Sequence, residues 1–192
     1  MPIHLRRHPL PAIVAVLLAT LAAPGHAAPP AAPAAVAMTA DARAASATVL
    51  PLALAETAAR AAIERCAADG HHVSAAVVDF SGLERAYLRG DRATVHTHET
   101  AFRKAYTIVT LGPVFGAGTT GELTEKLSKS PTAPALANVG NVILLAGGVL
   151  IRAGDEPIAA LGVGGAPGGT LDEACALAGV AAIEAGVQAL RR

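Results

Sequence analysis

The sequence predicts an α+β domain in which helices pack on an antiparallel meander. Three observations carry this. Apolar residues recur at helical spacing in three segments, runs of strand length lie between them, and the strands are joined by short turns. Helices and strands are grouped rather than alternating, which excludes a βαβ arrangement.

In order, Leu52 to Asp69 carries a stripe of Leu52, Ala55, Ala59, Ala62, Ile63 and Cys66, and Gly70 stops it. His72 to Asp79 is β-branched and apolar. Phe80-Ser81-Gly82 turns the chain, and Leu83 to Arg89 returns as the second arm of a hairpin. Thr94 to Leu111 is helical, with Ala101, Ala105, Ile108 and Val109 on one stripe and Gly112-Pro113 as its stop. Thr119-Thr120-Gly121-Glu122 fits a capping box that opens a short helix to Leu127. After a loop from Pro131 to Gly140, three strands are expected at Asn141–Ala146, Val149–Arg152 and Ile158–Val163. Thr170-Leu171-Asp172-Glu173 reads as a second capping box. It opens a closing helix with Leu171, Ala174, Cys175, Ala178 and Ala182 inward.

Ahead of this domain, residues 1–27 read as a secretory signal peptide. Arg6 and Arg7 are followed by about 14 apolar residues and by small residues at Gly25 and Ala27. That run is shorter than the roughly 20 residues of a spanning helix. Residues 28–48 are Ala/Pro-rich and read as a tether, which leaves residues 49–190 for the domain. The expected location is periplasmic or secreted. Cleavage removes Arg6 and Arg7 from 15 basic residues, leaving 13 against 15 acidic ones, a charge of −2. No basic patch supports nucleic-acid binding, and no stretch after the leader is long and apolar enough to span a bilayer. An oxidising compartment permits a disulfide between Cys66 and Cys175. Their apolar helix faces favour buried free thiols instead.

The candidate chemistry is sparse. Gly162 to Gly169 is glycine-rich and precedes a helix N-terminus, yet it lacks a P-loop lysine, and Asp172 and Glu173 in the first turn repel an anion there. It reads as a structural turn. His96 and Glu99 share a helix face at i,i+3 and could ligate a metal, or His96 could serve as a haem ligand. Glu99 equally suits an ion pair with Arg103. His98 points elsewhere, toward Phe102. Lys104 is either a surface lysine with a buried stem or the holder of a carboxylate such as a haem propionate. No paired carboxylates, GxSxG elbow or HExxH motif is present.

Several segments together resemble the GlcG/HbpS family, also called DUF336 or haem-binding proteins, which is related to the C-terminal domain of PduO-type corrinoid adenosyltransferases. They are Val77-Val78-Asp79 with Gly82, Arg89-Gly90-Asp91-Arg92-Ala93, the Ala-x-x-Lys-Ala-x-Thr run from Ala101 to Thr107, and Ile158 to Gly179. The resemblance spans Leu52 to Gly186. It implies a profilin-like five-stranded antiparallel sheet with helices on both faces, a homo-oligomer, and haem binding in some members. Two departures stand out: Arg92 replaces a usual glycine, and Val149-Leu150 stands where the family often has x-Pro.

The resulting expectation is an exported haem- or tetrapyrrole-binding protein. The ring would lie in an apolar groove between helix and sheet. His98 or His96 would meet the iron, Lys104 or Arg103 a propionate, and Asp91 is a further matched polar position. The alternatives are a small organic-acid-binding domain or enzyme using Lys104, and a structural or sensory oligomer subunit. No reaction is assigned.

Overall fold

Alanine sets how closely the helices approach the sheet. The computed structural model describes residues 48–191. The expected signal peptide at 1–27, and the tether at 28–48 except for Thr48, lie outside the described residues.

Helix α1 (Leu52–Ala68) starts after Pro51 and buries Ala55, Ala58, Ala59, Ala62 and Cys66. The hairpin β1 (Ser74–Asp79) and β2 (Glu84–Arg89) follows. In its turn, Asp79 Oδ1 accepts the N–H groups of Ser81 and Leu83 at 2.9 and 3.1 Å. Helix α2 (Thr97–Phe115) crosses the sheet. Next come the short helices α3 (Thr120–Leu127) and α4 (Ala133–Leu136), then strands β3 (Gly148–Ala153) and β4 (Glu156–Gly164). Helices α5 (Gly169–Ala181) and α6 (Glu184–Gln188) close the domain. The four strands order as β2-β1-β4-β3, and every pairing is antiparallel.

The α+β class and the helices on both faces agree with the sequence. Side-chain alternation divides the core. Ala75 and Val77 of β1 and Leu161 and Val163 of β4 face α1 and α5. Val78 and Ala160 face α2, where Ala105, Ile108 and Val109 meet them. At Gly162 of β4 a Cβ would collide with the Ala101 carbonyl, so helix and strand touch at backbone distance. The apolar groove expected between helix and sheet is therefore closed by direct packing.

Cys66 and Cys175 form a disulfide, contrary to the free thiols favoured by the sequence. It joins α1 to α5 across 109 residues, with Cα atoms 5.5 Å apart. Gly179 explains the approach: a Cβ there would strike the Ala58 carbonyl and the Leu161 side chain.

The fifth strand expected at Asn141–Ala146 is absent from the sheet. Its polar groups are taken up by α2 instead. Ile143 N–H donates to Thr107 Oγ1 at 2.8 Å, and Arg103 donates to the Val142 carbonyl at 2.6 Å. Gly112-Pro113 does not stop α2, which runs to Phe115 and ends at Gly116 in the left-handed conformation. Proline breaks only a bond to the preceding turn, so a helix can outlast it briefly. The Thr119–Glu122 cap forms, with Glu122 N–H on Thr119 Oγ1 at 3.1 Å. The Thr170–Glu173 cap does not, because α5 begins two residues earlier, with Gly168 rather than Thr170 at the N-cap position. Its inward stripe is rotated accordingly, burying Asp172, Cys175, Ala176 and Gly179 and leaving Leu171 exposed.

Both departures from the family pattern have structural consequences. Arg92 adopts φ 66°, the left-handed region that glycine enters without penalty. The N–H of Leu150 donates to the Gly118 carbonyl at 2.9 Å, a bond that a proline there would remove.

Candidate functional site

The N-terminal half of α2 presents His96, Thr100 and Lys104 at successive i,i+4 positions, on one stripe. Opposite lies the glycine-rich turn from β4 into α5. The two enclose a cleft of about 300 Å³, lined by that stripe together with Leu145, Asp172 and Gly165 to Gly169. Glycine is required in this wall. Gly165 has φ 134°, and a Cβ there would sit 2.6 Å from the His72 carbonyl. Gly147, just ahead of β3 and outside the lining of the cleft, has φ 126°, and a Cβ there would sit 2.8 Å from Lys104 Nζ.

Lys104 is not a surface lysine. Its side chain is 2% exposed, and Nζ donates to Asp172 Oδ2 at 2.6 Å, with Asp172 4% exposed. The other Asp172 oxygen accepts the Ala166 N–H at 3.0 Å. Burial pushes the Asp172 carboxyl above the ordinary aspartate range, and the Lys104 ammonium pulls it back only in part. Glu173, the next residue, turns to the other side of α5. It accepts from Thr119 Oγ1, the Gly121 N–H and the Gly147 N–H at 2.9, 2.8 and 3.1 Å. Both carboxylates expected in the first turn of this helix are thus held by hydrogen bonds, Asp172 with a cation and Glu173 with neutral donors.

His96 is exposed and lines the cleft. Its Nδ1 meets Thr94 Oγ1 at 3.1 Å, and Nε2 has no hydrogen-bond partner among the described residues. His98 lies on a different stripe. Its Nε2 approaches Glu84 at 3.3 Å, and its ring packs edge-on to Tyr87 with centroids 4.3 Å apart. Glu99 is engaged by Arg103 at 3.3 Å, and Arg103 also reaches the Val142 carbonyl. Asp91 lies apart from the cleft, in a shallow hollow with Arg60, Glu64 and Arg89. Among the described residues, no cluster of three or more His, Cys, Asp or Glu is arranged to hold a metal.

The structure thus brings His96 and Lys104 to one cleft and places His98, Arg103, Glu99 and Asp91 elsewhere. Sequence reasoning missed Asp172 as the partner of Lys104. The i,i+3 spacing of Asp172 and Cys175 was a usable signal, since it puts Asp172 on the inward face of α5.

A family model described as "Haem degrading protein HbpS-like" matches residues 50–181. Among solved structures, HbpS is 43% identical with a TM-score of 0.64, the match covering 71% of this chain and 91% of that one. A double mutant of Streptomyces reticuli HbpS is 41% identical, TM-score 0.64, covering 81% and 97%. The PduOC:heme complex is 26% identical, TM-score 0.61, covering 70% and 95%. No curated protein matches the chain. The extent of the family match and the identity to HbpS show that the chain belongs to the HbpS-like family of haem-degrading proteins.

Proposed function

We propose that this protein binds haem at the cleft between α2 and the Gly165–Gly169 turn, with His96 as the iron ligand. The observation that carries this is the imidazole of His96. It stands exposed at the cleft, oriented through Nδ1 by Thr94, with Nε2 unengaged among the described residues. An imidazole held by one nitrogen and open at the other suits an axial iron ligand. His98 is the weaker candidate, because Glu84 and Tyr87 already occupy its ring. Haem, when bound, supplies an iron centre for ligand binding or electron transfer. The chain's own contribution is to orient His96 and to present a buried cation beneath it.

Two supports are independent of the histidine. HbpS relatives and the PduOC:heme complex share this fold. The Cys66–Cys175 disulfide suits an oxidising compartment, in keeping with export through residues 1–27 to the periplasm or beyond. Among the described residues, no helix is long and apolar enough to cross a membrane. Assembly into a homo-oligomer belongs to the same reading, and light scattering on the purified domain reads it directly.

Haemin titration into the purified protein tests the proposal. It predicts a saturable Soret shift that is weakened at least tenfold in His96→Ala and preserved in His98→Ala. No saturable shift in the wild type rules the reading out.

A further inference from the structure

We propose that Tyr87, Ser74 and Thr97 are positioning residues for His96, joined in a one-way chain of hydrogen bonds that anchors the entry of α2 to the sheet. The proposal rests on the haem reading for what His96 ligates, and on geometry alone for how His96 is held.

Ser74 alternates with Ala76 and Val78 on the side of β1 that faces α2. It is fully buried, as is Thr97 in the first turn of α2. Buried hydroxyls are normally hydrogen-bonded, and these two bond to each other, Ser74 Oγ lying 2.7 Å from Thr97 Oγ1. Ser74 Oγ also lies 3.1 Å from the Tyr87 hydroxyl. The register explains that meeting: Ser74 stands opposite Arg89, so Tyr87 is its diagonal neighbour on the same face.

The direction of every bond is fixed, because each hydroxyl has one hydrogen to give. Thr97 gives its hydrogen to the Thr94 carbonyl at 2.6 Å, and a carbonyl only accepts. Thr97 therefore accepts from Ser74. Ser74, its own hydrogen spent, accepts from Tyr87. The chain runs from Tyr87 to Ser74 to Thr97 to Thr94, and its members strengthen one another by polarisation. It ends on a carbonyl and passes no proton onward, so it works as an anchor.

What it anchors is the support of the imidazole. The Thr97 N–H also donates to the Thr94 carbonyl, at 3.2 Å, and Thr94 Oγ1 meets His96 Nδ1 at 3.1 Å. His96 itself occupies the N-cap position of α2 and makes no side-chain cap bond. Thr97 is confined from the other side as well, since a Cβ on Gly165 would lie 3.2 Å from its Cγ2. Tyr87 thus touches both histidines by different groups: its ring packs on His98, and its hydroxyl begins the chain to His96.

The experiment uses the full chain after export, first without haemin. Side-chain nitrogen NMR reads the ring nitrogens of each histidine. Thr97→Val keeps the shape and removes the hydroxyl, whereas Thr97→Ser keeps the hydroxyl. In Thr97→Val the His96 shifts should move toward those of the exposed His72, with His98 unmoved. Thr97→Ser should restore the wild-type His96 shifts. Thr97→Val strands the buried Ser74 hydrogen and can fail to fold. Tyr87→Phe strands none, and there His96 should move the same way by a smaller amount. His96 unmoved in Tyr87→Phe, not restored in Thr97→Ser, or moved together with His98 in Thr97→Val overturns the proposal.

Haemin is then added. Thr97→Val should weaken its binding roughly threefold, short of the about 10- to 100-fold typical of losing a ligand's direct partner, with the Soret position unchanged. Nitrogen shifts that move as expected while haemin affinity stays the same refute His96 as the iron ligand and leave the anchor standing. No saturable Soret shift in the wild type refutes the haem reading alone, and the nitrogen shifts still decide the anchor.

Discussion

One helix carries two unlike stripes. His96, Thr100 and Lys104 run down one side of α2 and end on a buried ion pair at the base of a cleft. His98, Phe102 and Tyr106 run down another. There the imidazole packs on Tyr87, and the Phe102 and Tyr106 rings lie 5.9 Å apart. Each stripe starts with a histidine, and only the surroundings separate them. The first is polar, deepens inward and meets a glycine-lined wall. The second has its imidazole engaged at the surface. What a histidine can do here is decided four and eight residues further along the helix.

The comparison fails if the two stripes respond alike to substitution. The largest difference is expected at Lys104. Lys104→Met strands the Asp172 carboxylate and should cost about 3–5 kcal/mol in urea unfolding, and Lys104→Met/Asp172→Leu should recover most of that. A single variant as stable as the wild type would show that the pair is not buried as described.

The disulfide braces the wall that the polar stripe faces, through α5. Cys66→Ala/Cys175→Ala should lower stability by about 2–5 kcal/mol, read by the same unfolding curves. It should also loosen the cleft more than the aromatic stripe, which hydrogen exchange at α5 against β2, where Tyr87 packs on His98, resolves.

Acidity sharpens the contrast further. Burial raises the Asp172 carboxyl, so between the ordinary aspartate value and the raised one the folded chain keeps a proton that the unfolded chain has lost. The stabilisation that this group offers is present at the acid side and is lost as the pH rises through that window. Wild-type stability relative to Asp172→Asn should therefore fall with rising pH across the mildly acidic range. In Lys104→Met, with the offsetting ammonium gone, the fall should extend to higher pH. A relative stability that rises across the window contradicts the assignment.

The smallest effect belongs to the second stripe. His98→Ala loses an exposed contact with Glu84 and an edge-on ring contact, about 0–1 kcal/mol in thermal unfolding.

Much of the fold was legible because local periodicity and small residues carry it. The helical stripe of α1, the β1–β2 hairpin and the Thr119 cap are set within a few residues of chain. Asn141–Ala146 was misread as a strand because its partners, Thr107 and Arg103, lie about 36–39 residues away on α2. The same limit hid the site. His96 and Lys104 were visible as residue types, and the spacing of Asp172 to Cys175 marks Asp172 as inward, but its pairing with Lys104 spans 68 residues and local spacing does not name the partner. The disulfide was underrated for a related reason: only the backbone approach allowed by Gly179 brings two ordinary apolar helix faces to bonding distance.

The measurement that tests the central claim most directly is a parallel haemin titration of the wild type, His96→Ala and His98→Ala, followed at the Soret band. If the polar stripe holds the ligand, His96→Ala loses at least tenfold in affinity and His98→Ala follows the wild-type curve. The reverse order, with His98→Ala impaired and His96→Ala unaffected, would move the ligand to the aromatic stripe and contradict the account.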